Sequence, residues 1–533
     1  MQETLSHFLM VAFYIGVTLI LLGLCVFVHE LGHLLGGKLV GIKARVFSLG
    51  FGHGIIKKEF NGTTYQIAPF PLGGYCSFYG ENAAEEREGK GYEFLTAAPW
   101  RRIVTVAAGP FFNLVFGIVL FFIMNLAGYM SESNRILIPD YLKTGEYAAP
   151  AVTAGLASGD RVLSINGKTV YTFSDIQNSV VFSSCKPLAF EVERDGANVP
   201  VTVTPKRYGD KGYPTIGVVP WGTTVLVAGV SENEPAAKAG LKEMDEVLSI
   251  NGEKIAGTER FIALMRASAG KKLDFEVKRA GKTSVIPVTP RVREILTVEK
   301  AQQPSYGKDT SAIVSDNMQA VKDGIAKGTV TFNGAKVKSF EELLSMIKSS
   351  AGKSSTLVNA NSTYTGTVKY ESIGFVGVEP ALSPEMKKVQ HGFGTAFVKA
   401  LTDPYDFVVM NLKGLGMLVS GKLNVRENLS GPIRIGKIAG DTAYYRGASA
   451  FVVLMAKISI ILMIMNLLPI PAVDGSFIIF FTIEWIIRRP LNEKLMERVQ
   501  MAGFAFIILL SVFVIFNDLS FFPFFQKIAG WFK

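Results

Sequence analysis

The sequence predicts a multi-span α-helical membrane protein of about four transmembrane helices. To these it adds a membrane-associated β-hairpin or sheet and a large external α+β insert. Three observations carry this. The chain of 533 residues is 49% hydrophobic, contains 38 Phe and has a mean hydropathy of +0.30, richer in apolar residues than a soluble chain. The excess gathers into four runs almost free of charge: Phe8–Val28, Ile103–Met130, Ile458–Ile483 and Met501–Phe516. Between about 131 and 385 the pattern changes to charged residues, Gly turns and alternating strands.

The first run is long enough to cross a bilayer at about 1.5 Å per residue. The leading "MQETLSH" has no basic region, so a cleaved signal peptide is not expected. Lys38, Lys43, Arg45, Lys57, Lys58, Arg87, Lys90, Arg101 and Arg102 lie between spans one and two, and Arg488, Arg489, Lys494 and Arg498 between spans three and four. Both segments are therefore expected in the cytoplasm, with the N-terminus and the insert outside. They contribute to the net charge of +10. No basic stripe with interleaved aromatics accompanies that charge, so a nucleic-acid partner is not expected. On this topology Cys25, Cys76 and Cys185 fall in three different places and form no disulfide framework. Cys25, a turn before His29, reads as a small buried hydrophobe rather than a metal ligand.

The first span runs into "HELGH", with His29, Glu30 and His33. Ionisable groups near a membrane core are costly, roughly 2.5–3.5 kcal/mol each on insertion scales, and need a compensating interaction. On a helix, His29 and His33 project from one face a turn apart. Two imidazoles so placed grip one Zn²⁺, and Glu30 beside the first reaches water as general base. A catalytic zinc needs a third protein ligand and an open position. His7, His53 and His391 are poorly placed to supply it. The membrane pattern breaks again at "NLLPIPAVDG", Asn466 to Gly475, where Pro469 and Pro471 should stop a helix. A broken helix at membrane depth is tolerated where it lines a cavity. Asp474 lies at the depth inferred for the histidines. Two readings of it are open, a third zinc ligand or an N-capping Asp at a proline kink.

Five ordered motifs, "HELGHLLGGKLVGIKARVFSLGFG", "YQIAPFPLGGY", "AAGPFFN", "NLSGPIRIGKIA" and "NLLPIPAVDG", resemble the site-2 protease family of intramembrane zinc metalloproteases. Within it they resemble the bacterial regulator of sigma-E protease branch. The resemblance covers both membrane halves of the chain. It implies zinc ligands His29, His33 and Asp474, with Glu30 as catalytic base. The family usually has Phe where Leu34 stands and often a second Gly where Ser476 stands, departures that bear on substrate preference rather than chemistry.

"IIKKEFNGTTYQIAPF" holds two strand-like runs joined by Asn61-Gly62, a type I′ hairpin signal. A helical substrate must unwind before water reaches its peptide bonds, and an exposed sheet edge can hold it by strand addition. The resemblance likewise implies a sheet that presents the substrate, with Tyr65, Gly73 and Gly74 as candidate substrate contacts. Asn466 and Asn113 are further candidates. For Asn113, contact with the substrate backbone or Asn466 and a bond between neighbouring helices are both open.

"AGLASGDRVLSINGKTV" from Ala154 and "AGLKEMDEVLSINGEKI" from Ala239 are an internal repeat that looks like the PDZ signature of the family. A third, degenerate copy, "VKDGIAKGTVTFNGAKVKSFEELLSMI", carries Asn333-Gly334 and lacks the Asp of the other two. Two such domains are usual in this branch. The expected organisation is span one with HExxH at 1–36, a cytoplasmic-side β region at 37–99 and span two at 100–130. PDZ domains follow at 133–221, 222–300 and 309–380. An interfacial amphipathic segment occupies 385–447, span three with the proline motif 448–487, and span four 498–520.

The expected activity is that of an intramembrane Zn²⁺ endopeptidase acting on single-span membrane proteins in a bacterial inner membrane. By resemblance, its substrates are anti-sigma factors already trimmed by another protease, and remnant signal peptides. PDZ domains commonly bind peptides or chain termini, but here the array is expected to act mainly as a bulky filter. A peptidase trimming prenylated or misfolded proteins would leave "NLLPIPAVDG" and the repeats unexplained. A PDZ scaffold with a relic metal site is disfavoured, because every catalytic group is present.

Overall fold

The computed structural model describes the chain apart from residues 1, 83–88, 140–141, 144–147, 208–212, 223, 256, 280, 300–310, 316–317, 351–352, 360–361, 422–430 and 521–533. Arg87, Asn428–Ser430 of the "NLSGPIRIGKIA" motif and the start of the third repeat at 309–310 lie outside the described residues. The chain divides into two units, Met1–Met130 with Lys388–Lys533, and Ser131–Lys387.

In the first unit, helix α1 (Gln2–Leu39) continues unbroken past the apolar run, so both HExxH histidines ride on regular helix. Strands β1 (Ala44–Phe51), β2 (Ile56–Phe60), β3 (Thr63–Ile67) and β4 (Phe70–Phe78) form one sheet in the order β2-β3-β1-β4. The β2–β3 turn has positive φ at both central residues, Asn61 at 50° and Gly62 at 71°, as a type I′ hairpin requires. β1 pairs parallel with β3 and antiparallel with β4, which leaves β4 at an edge of the sheet. Helix α2 (Pro99–Ala127) crosses α1 at very short range. A Cβ at Gly32 would lie 2.4 Å from the Ala108 carbonyl oxygen, so only glycine permits this approach.

Helices α3 (Phe393–Val419), α4 (Pro432–Asp441), α5 (Gly447–Leu467), α6 (Asp474–Ile487) and α7 (Glu493–Ser520) complete the unit. Among the described residues four helices are long and apolar enough to cross a membrane: Phe8–Leu39, Pro99–Ala127, Pro432–Leu467 and Glu493–Leu519. The third differs from the span expected over 448–487. It starts earlier, where α4 runs through a π-helical turn (Thr442–Arg446) into α5, and it ends at Leu467. Pro469 and Pro471 cannot donate the next helical hydrogen bonds, so Asp474 opens a separate helix. Beneath α1 and α2, Phe47, Phe78, Phe94 and Phe481 form an aromatic core with Leu34 and Val106. Full burial of such a ring stabilises by about 1.5–3 kcal/mol.

The second unit holds three separate cores. The first surrounds Val162, Ile165, Phe173, Ile176, Phe190 and Val192. The second gathers Val227, Val247, Ile250, Phe261 and Phe275, and the third Val330, Phe332, Leu343 and Leu357. Each uses the same turn. Asn166, Asn251 and Asn333 have φ near 50°, and their Oδ1 atoms accept from Ala189, Asp274 and Thr356 N–H at 2.9, 2.8 and 2.7 Å. Around the first two cores Arg194 and Arg279 clamp buried Asp160 and Asp245. The third has Lys327 at that Asp position and no such clamp among its described residues. The second sheet also reaches beyond residue 300. Strand Val378–Ser383 pairs antiparallel with Thr224–Val230, so the third repeat is inserted within the second rather than following it.

Candidate metal centre

His29 and His33 are 8% and 9% exposed, with ring planes nearly perpendicular and Nε2 atoms 3.1 Å apart. Asp474 comes to them from the first turn of α6. Its Oδ2 lies 3.1 Å from His29 Nε2 and 3.5 Å from His33 Nε2. Val473, not Asp474, occupies the N-cap of that helix, and no side chain caps it. Among the described residues this is the one group of three or more metal-type donors. Cys25 stands apart from it, its thiol against the Met455 carbonyl.

The spacings suit zinc. At bond lengths of about 2.0–2.1 Å, the ligand atoms of a tetrahedral site sit about 3.3–3.4 Å apart. Asp474 Oδ2 is buried and accepts no hydrogen bond. Two imidazole lone pairs and a carboxylate oxygen converging in a buried space repel one another unless a cation lies between them.

The ring nitrogens facing away are also engaged. His33 Nδ1 lies 3.0 Å from the Thr105 carbonyl, to which its N–H donates, leaving Nε2 free for a metal. Fully buried Asn113 places its amide 3.3 Å from His29 Nδ1 and has an unpartnered Oδ1. Turned end for end, that amide puts Oδ1 on Nδ1–H and frees His29 Nε2 in the same way. Asn466 Nδ2 lies 3.4 Å from His29 Nε2. Gly109 permits the packing from the α2 side. A Cβ there would lie 2.4 Å from His33 Nε2 and 3.0 Å from His29 Cε1. The sequence signals Gly109 only as part of "AAGPFFN", and Thr105 acts through a carbonyl that no motif reveals.

Glu30 points toward β4, where the Cys76 N–H donates to its carboxylate. A Cβ on Gly74 would lie 3.5 Å from Glu30 Cγ. His29, Glu30, His33 and Asp474 therefore come together, with Asn113 and Asn466 touching His29 and Gly74 facing Glu30. Gly73 and Tyr65 lie further off. Gly73 packs on the Phe51 ring, and Tyr65 accepts from Lys38 Nζ at 2.9 Å. A cavity of about 410 Å³ opens beside the four, walled by Cys76, Phe78, Phe477, Phe481 and Gln500 among others.

Helical histidines a turn apart, an adjacent glutamate and an aspartate from a broken helix, set among membrane-length helices, define the class of intramembrane zinc metalloproteases. The chain belongs to peptidase family M50, the site-2 protease family, whose sequence profile matches residues 17–510. It is a zinc metalloprotease and a multi-pass membrane protein. It is 26% identical over 529 residues to a protein of Treponema pallidum named "Putative zinc metalloprotease", covering 96% of this chain and 99% of the relative. A protein of Neisseria meningitidis named in the same terms is 29% identical over 511 residues, covering 92% and 95%. The regulator of sigma-E protease RseP of Escherichia coli is 26% identical over 525 residues, covering 94% and 97%.

Proposed function

We propose that the chain cuts single-span membrane proteins within or at the edge of the bilayer, with His29, His33 and Asp474 holding zinc and Glu30 as general base. The convergence of three donor atoms within 3.1–3.5 Å supports this reading most directly. Bound zinc supplies Lewis acidity toward a peptide carbonyl and toward water. Glu30 takes the proton from water as it attacks and passes it to the leaving nitrogen, so the bond ends as a carboxylic acid and an amine. Gly73 and Gly74 belong to the edge strand β4, whose free edge suits an unwound substrate added as a further strand. Tyr65 supports the sheet from β3.

The substrates in this reading are anti-sigma-type proteins already shortened by another protease, together with remnant signal peptides. The name of the Escherichia coli relative supports that class. The enzyme resides in a bacterial inner membrane, with its N-terminus and insert on the periplasmic side and the metal centre toward the cytoplasm. The three units of the insert are PDZ domains, the third degenerate, and their bulk excludes substrates that still carry a large folded external domain.

Cleavage of a model transmembrane substrate by purified protein tests the activity. Chelation should stop it and added zinc restore it. Cleavage that persists in chelator with no metal bound sinks the reading.

A further inference from the structure

We propose that Gln500, on α7, is a positioning residue for the loop that delivers Asp474. The proposal rests on Asp474 as a zinc ligand. The loop from Leu468 to Val473 has little to hold it. Pro469 and Pro471 lack N–H groups, and its internal bonds are Ile470 N–H to the Leu468 carbonyl and Val473 N–H to the Ile470 carbonyl. Ala472 sits at φ +77°, a left-handed conformation that a residue with a Cβ adopts at a cost.

Gln500 meets this loop with both ends of its amide. The Ala472 N–H donates to Gln500 Oε1, and Gln500 Nε2 donates to Ser476 Oγ at 2.9 Å. Ser476 Oγ in turn donates to the Val473 carbonyl at 2.8 Å. The chemistry sets the amide's orientation, because a backbone N–H can only donate. One side chain thus brackets Asp474 from residue 472 to residue 476. Next to it on α7, Gly503 lets the helix lie directly on the loop, since a Cβ there would be 2.4 Å from the Pro471 carbonyl oxygen. A helix that contributes no ligand therefore holds the segment that places the third one.

The test uses the full chain in lipid nanodiscs. Gln500→Leu removes both bonds, whereas Gln500→Glu keeps an acceptor for the Ala472 N–H. Zinc affinity by chelator competition, the visible spectrum of cobalt-loaded protein, and kcat and KM on a model transmembrane substrate are read for each. Gln500→Leu should weaken zinc binding about 10–100-fold, change the cobalt bands and lower kcat more than KM. Gln500→Glu should restore most of the affinity. Wild-type affinity and cobalt bands in Gln500→Leu would overturn the proposal, as would Gln500→Glu being equally impaired. Leu509→Ala, on an exposed face of α7, controls for general weakening of the helix, and an equal loss there also overturns it. Asp474→Asn separates the two layers. Zinc lost in Asp474→Asn but kept in Gln500→Leu removes Gln500 alone, whereas zinc kept in Asp474→Asn removes the ligand reading beneath it.

Discussion

Arg102 on α2 donates to Glu484 on α6 at 2.8 Å, the two side chains only 5% and 10% exposed. The guanidinium also lies 4.6 Å over the Phe481 ring and donates to the Ala97 carbonyl at 3.0 Å. The pair ties the far end of the helix that begins with Asp474 to the helix that packs on both histidines.

Removing one partner leaves a buried, uncompensated charge. Arg102→Met should therefore cost about 3–5 kcal/mol, and Arg102→Met with Glu484→Leu should recover most of it. Thermal unfolding in detergent measures both. A double variant no more stable than the single one would show that the pair does more than neutralise itself.

Glu30→Gln should bind zinc with wild-type stoichiometry and lose about 10²–10⁴-fold in cleavage, because a general base is removed and no ligand is touched. His33→Ala and Asp474→Asn should lose metal as well. Metal analysis of the purified variants checks this, and full activity in Asp474→Asn would contradict it.

Gly109→Ala would press a methyl group onto His33, whose Nε2 lies 2.4 Å from the Cβ position. Overpacking of this kind costs about 1–3 kcal/mol. Zinc affinity should fall at least about tenfold while membrane insertion is unchanged. Competition with a chelator gives the answer, and unaltered affinity would mean α2 yields easily.

Cysteines placed at Ser231 and Lys338, in a background without Cys25, Cys76 and Cys185, should react with an impermeant thiol reagent in spheroplasts. One placed at exposed Lys57 should react only after lysis. Labelling of position 57 from outside would reverse the proposed orientation.

Arg291 donates to both Glu234 carboxylate oxygens, at 2.7 and 2.9 Å, and holds that carboxyl below its usual 4.5. A depressed carboxyl stabilises fully above its unfolded value and ceases to do so as pH falls through the lower folded one. Hydrogen exchange in strand Arg291–Glu299, corrected for intrinsic rate, should therefore speed up below about pH 4.5. Arg291→Ala should remove that pH dependence. A variant that keeps it would assign the effect to another carboxyl.

Local signals were readable where chemistry forces a pattern. Histidines four apart on an apolar helix, Asn-Gly between strand-like runs and two prolines inside a span each constrain the backbone within a few residues. What stayed hidden depends on partners far along the chain. Nothing near Gln500 points to residues 472 and 476, and nothing near Arg102 points to Glu484. The parallel pairing of β1 with β3 and the return of residues 378–383 to the second sheet are topological, and hydrophobic alternation does not encode them. Asp474 could be read as a cap or a ligand from sequence, because its closeness to His29 and His33 is a contact between distant parts of the chain.

The nesting of the third repeat inside the second also orders events during synthesis. Strand Thr224–Val230 emerges early, but its partner Val378–Ser383 follows only after the whole third unit. At about 5–20 residues per second, the wait is on the order of ten seconds. Throughout it, one edge of the second sheet is unpaired and open to wrong partners. The third unit pairs strand Arg291–Glu299 with residues 367–375, so if it folds first it brings the two ends of its insertion together. A defect confined to that degenerate repeat would then surface as misfolding of the repeat around it.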